Sequence, residues 1–92
     1  MNKHFEDTQY YLRRAVETAS KGLKEEVESV RERFQSVVGG DGEPEPSRVE
    51  SIREDLTSLQ GRAEGEAREA LGNARERLEA YRGEQRQERA AE

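Results

Sequence analysis

Few residues in this chain have types and spacings that could do chemistry. His4 is the one histidine, and there is no cysteine. A metal site or a catalytic imidazole needs partners fixed around it, and neither residue type supplies a second ligand here. His4 therefore reads as a solvated or first-turn histidine. No serine stands in a recognisable frame with a general base, and no glycine-rich loop is placed to cradle a phosphate. Asp41-Gly42-Glu43-Pro44-Glu45 alternates acids as a calcium loop does. The sixth position of that loop is Pro46 instead of glycine, and the twelfth is Ile52 instead of an acid. The expectation is no catalytic residue, no metal, no cofactor and no small-molecule substrate, so the chain is not read as an enzyme.

Nucleic acid is the other chemistry to weigh, because there are 13 arginines against 3 lysines. A nucleic-acid surface needs clustered positive potential. Here 16 basic residues face 21 acidic ones, for a net charge of −5. Almost every arginine has a glutamate nearby, as in Arg75-Glu76-Arg77. Glu17 with Lys21, and Glu64 with Arg68, have the i,i+4 spacing that supports a helix. Tyr10, Tyr11, Arg13 and Arg14 form the one local basic-aromatic cluster. A nucleic-acid or phosphate contact is expected there if anywhere, and is not the favoured reading.

The elements that must position these residues are helices. Residues 39–46 hold three glycines and two prolines, which no helix can continue through. Gly39 stands where a left-handed helix C′ residue belongs. Ser47-Arg48-Val49-Glu50 matches a capping box for the next helix. Before the break, Leu12, Val16, Ala19, Leu23, Val27, Val30, Phe34 and Val37 recur at steps of three and four. After it, so do Val49, Ile52, Leu56, Leu59, Ala63, Ala67, Ala70, Ala74, Leu78 and Tyr81. The pattern predicts helices over about 3–38 and 48–82, with a polar, frayed tail over 84–92.

The two stripes match in register. Folding back at residue 43 sets Val37 against Val49, Phe34 against Ile52, Val30 against Leu56 and Val27 against Leu59. It continues with Leu23 against Ala63, Leu12 against Ala74, and Phe5 against Tyr81. The predicted fold is all-α: an antiparallel two-helix hairpin, coiled-coil-like, roughly 50 Å long at about 1.5 Å per residue. Beyond Leu23 the second arm offers mainly alanine, so the backbones should approach closely there. Gly22, Gly61, Gly65 and Gly72 lie inside the arms, which means either that a marginal helix tolerates them or that something packs against them.

Leu, Ile, Val and Phe together number only 15. One seam is a small return for ordering so many residues. Tyr11, Ala15, Thr18 and Gly22 form a flanking stripe on the first arm, and Leu71 lies beside the seam on the second. This patch predicts pairing of two hairpins into a four-helix bundle, as a homodimer or with another helical protein.

The opening Met1-Asn2-Lys3-His4-Phe5-Glu6-Asp7, with Tyr10-Tyr11-Leu12, a Pro-Glu break and an Ala/Glu/Arg-rich second arm, resembles short two-helix proteins of haloarchaea, a domain of unknown function. The resemblance implies no activity. It implies a KCl-rich cytoplasm, where salt strengthens apolar burial and screens exposed ion pairs. The sequence has no signal-peptide h-region and no apolar run of membrane-spanning length, so a cytoplasmic chain without membrane contact is expected.

Overall fold

The computed structural model describes residues 3–39 and 44–91, with side chains as far as Gly83. The chain is helical, as the period requires, but it forms four helices instead of two. These are α1 (Lys3–Thr18), α2 (Lys21–Val38), α3 (Pro46–Arg62) and α4 (Gly65–Ala91). Each predicted arm is broken once, at Ala19-Ser20 and at Ala63-Glu64. Both arms then fold back. Each helix packs on its neighbours in the chain and α1 closes the ring on α4, while α1/α3 and α2/α4 lie on the diagonals. The result is a single-chain, up-down-up-down four-helix bundle.

Named contacts fix the registers. Across α1 and α4, the Phe5 and Tyr81 rings lie 4.5 Å apart, as the hairpin pairing predicts. Arg77 Nε stands 3.6 Å from Asp7 Oδ2 in the same interface. Across α2 and α3, Arg33 meets Asp55 at 2.6 Å, and Arg62 meets Glu26 at 2.6 Å. The hairpin register therefore survives in both pairs. The fold-back adds two further interfaces. Phe5 lies edge-on to Phe34, with centroids 5.8 Å apart, and so ties α1 to α2. Arg53 with Glu79, and Arg82 with Glu50, tie α3 to α4.

Folding back corrects the expectation of an exposed flanking stripe. Ala15 and Leu71 are fully buried, and so are Thr8 and Leu78. In a straight hairpin Ala15 and Leu71 would lie beside the seam, facing water. Here the other half of the same chain covers them. The intermolecular four-helix bundle expected from sequence is thus built within one chain. Thr8 is the one buried polar residue among those described, and its hydroxyl donates to the His4 carbonyl at 2.7 Å. That bond satisfies a group that would be costly to bury unpaired. His4 itself is half-buried in the first turn of α1.

Alanines decide how α1 and α4 meet. Ala67, Ala70 and Ala74 are buried on α4, and the α1/α4 interface is the most extensive of the four. This is the close approach that the alanine-rich half of the stripe predicts.

The helix ends differ from expectation in three places. Gly39 has φ −83°, ψ −6°, a right-handed conformation, and its amide donates to the Gln35 carbonyl. Helix α3 starts at Pro46 with Glu45 as N-cap, so Ser47 is already inside the helix and no capping box forms. Proline suits the first helical position, and the residue before it is held extended. Asp41, Gly42 and Glu43 lie outside the described residues. Helix α4 continues through Gly83 to Ala91, where a frayed tail is predicted.

The four interior glycines also resolve. A Cβ at Gly22 or Gly61 would meet nothing within 4 Å. At Gly72 it would meet only the Gln60 side-chain amide. Gly65 is different: its φ of +62° begins α4 in a conformation that costs other residues energy. Only Gly72 has anything against it, and only Gly65 has a backbone reason to be glycine.

Candidate functional site

The sequence reading offers two groups of site residues, and the bundle separates them. The expected partner patch of Tyr11, Ala15, Thr18, Gly22 and Leu71 does not form one exposed surface. Ala15 and Leu71 are core residues, and Tyr11 and Thr18 are half-buried. The Thr18 hydroxyl donates to the Arg14 carbonyl at 2.8 Å, closing the end of α1. Gly22 is exposed in the first turn of α2, on the far side of the Ala19-Ser20 break.

The second group stays together on the outer face of α1. Tyr10 is 59% exposed, the one large apolar side chain so exposed among the described residues. Tyr11 leans on the core, and the two rings meet edge-to-face with centroids 5.3 Å apart. Tyr10 projects because it falls outside the buried set Phe5, Thr8, Leu12 and Ala15, which faces the bundle interior at helical spacing.

Two shallow grooves flank Tyr10. The groove between α1 and α4 is lined by Tyr10, Tyr11, Arg14, Glu66, Glu69 and Asn73. Arg14 stands 3.9 Å from Glu66, and Glu69 has no ion-pair partner among the described residues. This side carries an excess of carboxylate. The groove between α1 and α2 is lined by Glu6, Gln9, Tyr10, Arg13 and Arg31. Arg13 pairs with Glu17 at 3.5 Å. Both arginines of the sequence-predicted cluster thus have carboxylate neighbours, which weakens any phosphate contact. Glu66, Glu69 and Arg31 were not legible as site residues, because helix pairing alone brings them beside the tyrosines.

Elsewhere, one network of compensated charge joins two helices. Arg53 contacts Glu50 and Glu79, Arg75 also reaches Glu79, and Arg82 reaches Glu50. This network spans α3 and α4 with side chains partly shielded from water, where ion pairs are screened less. Among the described residues no cluster of His, Asp or Glu could hold a metal ion. Among those residues, too, no helix is long and apolar enough to cross a membrane.

Neither the curated proteins nor the solved structures contain a match to this chain. A family model does match it, over residues 1–84, which includes α1, α2, α3, both breaks and α4 through Gly83. The chain belongs to DUF7553, a family of unknown function.

Proposed function

We propose that this is a non-enzymatic helical interaction protein that docks a protein partner through the outer face of α1. The observation that carries the reading is Tyr10. It is a large, largely exposed side chain on a surface otherwise polar and charged, braced by Tyr11 and flanked by grooves. Tyrosine gives contact area at low entropy cost, and it is enriched among residues that dominate binding energy. The carboxylates of Glu66 and Glu69 favour a partner segment that carries cationic side chains, which can also lie against the tyrosine faces. The grooves are open and polar, unlike the walled apolar pockets of small-molecule sites.

A nucleic-acid contact is the competing reading, and one observation favours it. Arg13 and Arg31 line the other groove beside Tyr10. The test is titration of the protein with three probes, followed by amide shifts in NMR. The probes are an Ala/Leu/Lys helical peptide, the same peptide with Glu in place of Lys, and a single-stranded oligonucleotide. The expected result is that the cationic peptide shifts α1 and the first turns of α4, and that Tyr10→Ala abolishes the shifts. Shifts with the oligonucleotide alone, lost steeply as salt rises, would replace this reading with phosphate binding.

A further inference from the structure

We propose that this chain exchanges halves with a second copy of itself, by straightening at its two breaks. The α1/α4 half and the α2/α3 half are joined only through Ala19-Ser20 and Ala63-Glu64. Both breaks lie at the same end of the bundle, opposite the end of α2 at Val38 and the start of α3 at Pro46. Straightening them would join α1 to α2, and α3 to α4, as two long helices. That is the hairpin the sequence period describes. Val16, Ala19 and Leu23 keep helical spacing through one break, and Leu59, Ala63 and Ala67 keep it through the other. One apolar stripe therefore serves both the bent and the straight form.

The breaks are held closed by the packing of α1 on α2 and of α3 on α4, contacts that an exchanged dimer would also make. Ser20 has ψ 159° and makes no side-chain cap bond, and Ala63 has ψ 160° and no polar side chain. Neither break contains proline. Opening needs these two ψ angles to reach about −42°, and the Gly65 φ to change from +62° to about −63°. Glycine makes that last change at little cost.

The opened hairpin would expose Ala15 and Leu71, the buried residues that lie off the seam. The surface that fits them is already known, because α2 and α3 cover them in the closed chain. A second copy carries the same α2 and α3. Phe5 would meet the other copy's Phe34, and the Arg53–Glu79 and Arg82–Glu50 pairs would form between chains. Phe5–Tyr81 and Arg77–Asp7 would stay within each chain. The two states differ in hinge conformation and in concentration dependence, not in their contacts, which is the condition for domain swapping.

Two variants push in opposite directions. Gly65→Ala disfavours the bent form, because alanine is strained at positive φ, and it favours the continuous helix. It should raise the dimer association constant by about tenfold per chain, or about a hundredfold per dimer. Lys21→Pro favours the bent form, because proline suits the first helical position after an extended Ser20 and would interrupt a continuous helix. It should remove dimer. The proteins are refolded at about 1 mM, where mass action favours the dimer, and read by sedimentation velocity. Cross-linking with a short bis-maleimide identifies the topology. Cysteines at Arg53→Cys and Glu79→Cys should link between chains in the dimer and within the chain in the monomer. Cysteines at Asp7→Cys and Arg77→Cys should link within the chain in both. No dimer from wild type or Gly65→Ala would overturn the proposal. So would a dimer in which the 53–79 link stays within each chain, or one that Lys21→Pro leaves intact.

Discussion

Leu71→Ala separates the folded-back bundle from a straight hairpin by energy alone. In a straight hairpin residue 71 lies beside the seam and faces water. Truncation there should change stability by no more than about 0.5 kcal/mol. In the bundle Leu71 is fully buried in the core cluster. Removing its branched end loses about 0.8 kcal/mol per buried carbon, and the unfilled space adds a cavity term. The sum is about 2.5–4 kcal/mol. For a domain of this size each kcal/mol moves the melting temperature by about 4–8 °C, so the variant should melt about 10–30 °C lower. Urea titration followed by circular dichroism, at a few micromolar protein, gives the free energy directly. Tyr10→Ala, at an exposed position, is the control and should stay within about 0.5 kcal/mol of wild type. A Leu71→Ala effect no larger than that of Tyr10→Ala would refute the fold-back.

Three further outcomes follow from the packing and the surface charge. Phe34→Ala should cost about 3–5 kcal/mol, because Phe34 is fully buried and braces Phe5, and near-ultraviolet circular dichroism should show the loss of aromatic order. Gly61→Ala should stabilise the protein by about 0.5–1 kcal/mol in a urea melt, since its Cβ would meet open space inside α3. Glu50→Ala should cost more than Glu26→Ala in the same assay, about 1–2 against about 0.5 kcal/mol. Glu50 is shared by Arg53 and Arg82 and is partly shielded, whereas Glu26 pairs with Arg62 in the open.

The seam was legible because burial in a helix repeats every three or four residues. Val27, Val30, Phe34, Val49, Ile52 and Leu56 are all buried, and Phe5 faces Tyr81 as the register requires. The breaks were not legible, because Ala19 and Ala63 keep the stripe in phase on both sides. A straight arm and a folded one bury that stripe equally well. The available signal was the second stripe, carried by Ala15 and Leu71. It was visible, but its cover was assigned to another molecule. The nearest cover for such a stripe is the rest of the same chain, whose effective concentration exceeds that of any partner. Ser20 and Gly65 are suitable break residues, yet neither stops a helix by itself. At the candidate site, Tyr10 and Tyr11 were legible as part of a basic-aromatic cluster, and only Tyr10 is exposed. The acids beside them come from α4, and only the closed bundle brings Glu66 to Arg14.

The distance between the start of α1 and the end of α2 tests the fold-back most directly. Nitroxide labels at Glu6→Cys and Gln35→Cys occupy exposed sites one residue beyond Phe5 and Phe34. Pulsed electron paramagnetic resonance is measured on dilute protein, at a concentration where sedimentation shows monomer alone. Because the Phe5 and Phe34 rings lie 5.8 Å apart, the bundle predicts a single short distance, under about 25 Å with the label arms included. An unbroken first helix would hold the labels about 44 Å apart, at about 1.5 Å per residue, and that result would contradict the account.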